Sequence, residues 1–164
     1  MACRGVHFAI VADDVEQLRA CEDDDARVSY IADVIEERWE AGWVYETDKA
    51  WDAIHRALGD GTLDLSRVTF PLGHAIFGGE YMVALDDYYI VLNTPEQAVQ
   101  IGHALRAISR EEMRARYFAI SPAEYGMALT EEDWAYTWQW FEGLGEFFVR
   151  AGEAGRSVIF TVDQ

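Results

Sequence analysis

Positive charge is scarce in this chain. Thirteen lysines and arginines stand against thirty aspartates and glutamates in 164 residues, for a formal net charge of −17. A nucleic-acid surface needs basic residues to meet phosphates, so that class of partner is excluded, and anionic membranes are disfavoured for the same reason. Lysine is rarer still, with Lys49 alone beside twelve arginines. Cysteine occurs only as Cys3 and Cys21, too few for a disulfide framework, and both read as ordinary thiols of a reducing compartment. No apolar run approaches the ~18 residues of a membrane span, and no charged-then-apolar leader opens the chain. The expectation is a soluble, cytoplasmic protein. Internal repeats and low-complexity linkers are absent too, and the length suits one domain spanning residues 1–164.

Catalytic signatures are also lacking. Neither GxGxxG nor GxxxxGK[ST] occurs, there is no GxSxG elbow and no HExxH. The acidic run Glu22-Asp23-Asp24-Asp25 lacks the ligand spacing and turn glycine of a calcium loop and reads as a solvated helix start. No metal or cofactor is expected, and no catalytic residue is assigned.

What is present is a series of well-marked elements. Gly5 to Val11 reads as a first strand, with His7 among apolar neighbours as a core or edge histidine. A short helix opens at Asp13-Asp14. A second is expected from Ala26 to Glu40, with Val28, Ile31, Ala32, Ile35 and Trp39 on one side. Ala41 to Glu46 reads as a link, and Leu63 to Phe70 as loop leading to a short extended piece. Tyr88 to Asn93 is a β-branched and aromatic run and therefore a strand. Thr94-Pro95-Glu96-Gln97 is a helix start with a capping box and proline at the first position. That helix buries Ala98, Ile101, Gly102, Leu105 and Ile108 and leaves His103 exposed. Ser109 opens another helix, and Phe118 to Leu129 is a loop pinned by Tyr125 and Met127. Thr130 caps a last long helix to about Ala151, apolar around most of its circumference. Ser157 to Val162 is a final strand in the same sheet as the first. The fold class is therefore α/β (mixed α+β): one mixed β-sheet covered by helices, with a long aromatic-rich C-terminal helix followed by a final strand.

Two segments carry the functional reading. In Thr47-Asp48-Lys49-Ala50-Trp51-Asp52-Ala53-Ile54-His55-Arg56-Ala57-Leu58, Thr47 reads as an N-cap, Asp48 as the first helical residue and Gly59 as a left-handed exit. Asp48, Asp52 and His55 then share one face, a spacing that suits a His–carboxylate pair or a metal. The plainer reading is an Asp52–Arg56 ion pair, a dipole partner at Asp48, and a boundary histidine packed on Trp51. Lys49 reads as a solvated side chain. In Phe70 to Glu80, Gly78-Gly79 could let a ligand approach the backbone beside His74 and Glu80. The plainer reading is a turn between two short apolar strands.

These segments also carry a family resemblance. Asp48 to His55, Pro71 to Glu80, Leu92 to Val99, Ala104-Leu105, Ile108-Ser109 and the closing helix with Phe141, Leu144 and Ala154-Gly155-Arg156 resemble the YfbM-like family, small bacterial proteins classed as a domain of unknown function. The early strand from Met1 to Ile10 fits as well. The resemblance spans nearly the whole chain and implies a single α/β domain. It implies no reaction.

Function is thus read from charge and aromatics. An acidic, aromatic-rich chain without a catalytic signature points to a module that binds a basic protein, such as an inhibitor or immunity-type protein facing a basic toxin or nuclease. The alternative is a small-molecule binder or enzyme with its site between the Asp48/Asp52/His55 face and the His74–Glu80 loop, where Asp48, Lys49, Asp52, His55, His74, Gly78, Gly79 and Glu80 are the candidate residues. A structural module without catalytic role is the third reading.

Overall fold

The computed structural model describes residues 4–85 and 88–163, so Cys3 and the first residues of the chain lie outside it. Five strands form one sheet in the order β2-β1-β5-β4-β3: β1 is Gly5–Ile10, β2 Val44–Asp48, β3 Glu80–Ala84, β4 Tyr88–Asn93 and β5 Ser157–Asp163. The final strand occupies the centre. It pairs antiparallel with β1, from Gly5 opposite Val162 to Ile10 opposite Ser157, and on its other side with β4. All four pairings are antiparallel, so the sheet is antiparallel rather than mixed in direction.

Side-chain alternation divides the strands between two cores. Ala9, Val91, Val158, Phe160 and Val162 join the larger one. That face is covered by α3 (Trp51–Leu58), α4 (Pro95–Arg106), α5 (Arg110–Phe118), α7 (Glu131–Phe141) and α8 (Leu144–Glu153). Phe8, Ile10, Ile90, Leu92 and Ile159 face the smaller one. It is closed by α1 (Ala12–Ala20), α2 (Asp24–Tyr30) and the π-turn Ile31–Glu36 that continues α2. The short α6 (Pro122–Tyr125) lies in the loop before α7. Among the described residues no helix is long and apolar enough to cross a membrane.

The strongest local signals hold. Thr94 and Gln97 form both halves of the capping box at α4. Ser109 and Thr130 cap α5 and α7 by accepting from Glu112 N and Asp133 N. Further expectations are corrected.

The link Ala41–Glu46 contributes an edge strand, because Val44, Tyr45 and Glu46 pair with β1. The stretch before Gly78 is a 3-10 turn over Leu72–Ala75 rather than a strand, and Leu65–Arg67 is another. In the second helix the π-turn adds a residue per turn and rotates the apolar stripe. Ile31 and Ile35 stay buried while Ala32 and Trp39 leave the core.

The long last helix breaks at Glu142-Gly143 into α7 and α8. The Tyr45 hydroxyl fills the break, donating to Trp140 O at 3.0 Å and accepting from Gly143 N at 3.2 Å. A Cβ on Gly143 would stand 2.9 Å from that hydroxyl and would push the Tyr45 ring away from the break.

Candidate functional site

The central segment does not begin as its residues suggest. Thr47 lies in β2 and donates its hydroxyl to Gly5 O at 3.1 Å instead of capping a helix. Asp48 ends that strand in the left-handed region, at φ 43°, a conformation that aspartate tolerates better than most side chains. The helix starts at Trp51. Asp48 therefore does not share a helical face with Asp52 and His55. The exit also differs: Gly59 has φ −105°, and the left-handed residue is Gly61 at φ 90°.

Each candidate has a definite environment. Asp48 Oδ2 accepts from the Tyr136 hydroxyl at 2.6 Å, and Oδ1 lies 3.4 Å from Arg4 Nε. Lys49 is exposed, and its backbone amide donates to the Tyr136 oxygen at 3.3 Å. Asp52 Oδ1 accepts from Arg56 Nε at 2.6 Å. Burial pushes the Asp52 carboxyl up, against the pull of Arg56. His55 is 4% exposed and stands edge-on to Phe77 at 5.3 Å. Burial, aided by the Arg56 charge, pulls its pKa down to about 4, so the ring is neutral at pH 7.

The glycine loop closes on an asparagine. Asn93 Nδ2 donates to His74 O at 3.1 Å and to Gly78 O at 3.2 Å, while His74 Nδ1 donates to Asn93 Oδ1 at 3.1 Å. Gly78 and Gly79 serve this closure. A Cβ on Gly78 would fall 2.2 Å from the His74 ring, and one on Gly79 (φ 116°) would fall 2.4 Å from Leu92 O. Glu80 points away, to Arg19 at 2.6 Å.

The two segments do meet, but through apolar rings. Phe77 sits edge-on to both Trp51 and His55 and fills the seam between them that a ligand would need. The carboxylates diverge to Tyr136, Arg56 and Arg19. Among the described residues no group of three His, Cys, Asp or Glu side chains could hold a metal. His7 is likewise internal, its Nε2 donating to Ala75 O at 2.7 Å among Phe147, Phe148 and Phe160.

Charge is distributed less evenly than composition shows. Residues 12–40, which build the α1–α2–π-turn layer, contain eleven acids and three arginines. All three arginines are paired inside the layer or to the sheet: Arg19 with Glu80, Arg27 with Asp24 and Arg38 with Asp14. Asp14 is buried and also accepts from the Tyr30 hydroxyl at 2.9 Å, which ties α1 to α2. Asp23 caps α2 through Ala26 N. Of the rest, Glu16, Glu22, Asp25, Asp33 and Glu37 face outward, Glu36 is half-buried and Glu40 pairs with Arg156. One side of the sheet thus carries an acidic shell. The acidic run is legible in the sequence; that α1, α2 and the π-turn bring its members onto one face is not.

The model of a domain of unknown function, DUF1877, matches residues 1–161. The crystal structure of YfbM from Escherichia coli, described as a protein of unknown function, is similar with a TM-score of 0.69 and 20% sequence identity. The match covers 97% of this chain and 99% of that one. A likeness at that identity speaks to the shared fold. No match is found among curated proteins.

Proposed function

The chain belongs to the DUF1877 family, a domain of unknown function, and on that premise we propose that it is an acidic protein-binding module whose partner is a basic protein, in the manner of an inhibitor or immunity-type protein. The observation that carries this reading is the acidic shell: eleven acids over residues 12–40, with every arginine of the layer already neutralised. Such a surface speeds encounter with a positive partner and repels negative ones. The competing small-molecule reading loses its central acid–base group, because His55 is buried, neutral and packed on Phe77. It would have to rest on His74, whose Nδ1 is engaged by Asn93.

The test is a pull-down from extract of the source organism at low and at moderate salt, with mass spectrometry of the retained proteins. The expected result is one basic protein held stoichiometrically and released as salt rises. Retention of nothing at either salt, or of an acidic protein, overturns the proposal.

A further inference from the structure

Trp39 lies just past the helical turns that follow the π-turn Ile31–Glu36. Its amide donates to Glu36 O at 3.1 Å, and its backbone lies at φ 34°. A bulky side chain is strained in the left-handed region. The indole is nonetheless 45% exposed, with one edge on Phe8 at 5.7 Å. Burial of the ring therefore does not account for the strained placement.

The turns just before it carry Asp33, Glu36 and Glu37, none of which forms an ion pair among the described residues. Glu36 is half-buried without a counter-ion, and burial raises its carboxyl. Phe8, against which the indole packs, also lines a dimple of only ≈ 10 Å³ with Ile35, Arg38, Glu40 and Trp43. That volume holds a water and no organic ligand, so the corner meets a surface and not an enclosed small molecule.

We propose that the Trp39 corner, with Asp33, Glu36 and Glu37 in the turns that lead to it, is the contact at which the basic partner's arginine side chains dock. This rests on the reading of the chain as a binder of a basic protein and names its anchor. Charge complementarity selects the occupant. A guanidinium stacks on an exposed indole and donates to adjacent carboxylates at once. Tryptophan is among the residues that dominate interface energies.

The probe is a fluorescein-labelled alternating arginine–glycine peptide, followed by anisotropy at low and moderate salt. Trp39→Gly keeps the left-handed backbone without strain and is expected to fold. It should weaken binding at least about tenfold, whereas Trp39→Phe should retain most of the affinity. Met127→Ala, an exposed residue outside the layer, should change it by less than about twofold.

If Trp39→Gly fails to fold, the comparison passes to Glu36→Gln/Glu37→Gln against Glu22→Gln/Asp25→Asn, which remove equal charge from the same layer. The first pair should lose about tenfold and the second about twofold. Equal losses in the two pairs, or a Trp39→Gly protein that binds like Met127→Ala, overturn the inference while leaving the acidic-binder reading intact. Absence of salt-sensitive binding by the unaltered protein overturns both.

Discussion

Acid should unfold this protein through its buried histidines. His7 is fully enclosed and His55 nearly so. Burial lowers both from 6.5 to about 4, with the Ala75 hydrogen bond opposing the shift at His7 and the Arg56 charge reinforcing it at His55. In the unfolded chain each imidazole takes up a proton near pH 6.5; in the folded one it does so only near pH 4. Their contribution is therefore complete above about pH 6.5 and is lost as pH falls toward 4. Each pH unit between the two values is worth about 1.36 kcal/mol, so each site loses about 2.5 kcal/mol between about pH 7 and about pH 4.5.

Two such sites make about 5 kcal/mol, against a total stability of about 5–15 kcal/mol for a domain. Raised carboxyls at Glu36 and Asp52 act in the opposite direction, so the histidine effect is best isolated by a variant. His7→Gln retains an amide able to donate to Ala75 O but cannot titrate. Urea unfolding of both proteins at pH 7.5, 6.5, 5.5 and 4.5 should show the wild type losing about 2.5 kcal/mol more than the variant across the series. Parallel curves, within about 0.5 kcal/mol, would refute the placement of His7 as a neutral core residue.

Two further substitutions probe packing that the sequence conceals. Asn93→Leu strips the donors and acceptor that close the glycine loop, and the orphaned buried carbonyls should cost about 3 kcal/mol in denaturant unfolding. A loss below about 1 kcal/mol would mean that the loop is held by Phe77 alone. Gly102→Ala places a Cβ 2.6 Å from Val149 Cγ2 and 2.7 Å from Gly145 O, where α4 crosses α8. Calorimetry should record a destabilisation of about 2 kcal/mol or more, and an unchanged Tm would show that the crossing can open.

What local chemistry dictates is readable directly. The β-branched run Tyr88–Asn93, the Thr94 capping box and the caps at Ser109 and Thr130 follow from residues within a few positions of one another. So does the Asp52–Arg56 pair, since i and i+4 meet on any helix. The closing run Ser157–Val162 reads as a strand for the same reason, and its place in the sheet of the first strand holds. The acidic character and the lack of a nucleotide or metal motif are likewise properties of the string of residues.

The tertiary structure decided everything that depended on a distant partner. Thr47 looks like a cap until β1 offers it the Gly5 carbonyl, 42 positions away. The last helix breaks because Tyr45 reaches Trp140 and Gly143 across nearly a hundred residues. Asp48 turns to Tyr136 instead of joining a helix, and the space between the two glycine- and histidine-bearing segments goes to Phe77. A π-turn, which periodicity cannot foresee, shifts the stripe, and past it Trp39 leaves the helix in a left-handed conformation and stands at the surface. Hydrogen bonds and packing are satisfied by whichever group the fold brings within reach, and that proximity is a property of the folded chain rather than of neighbouring letters.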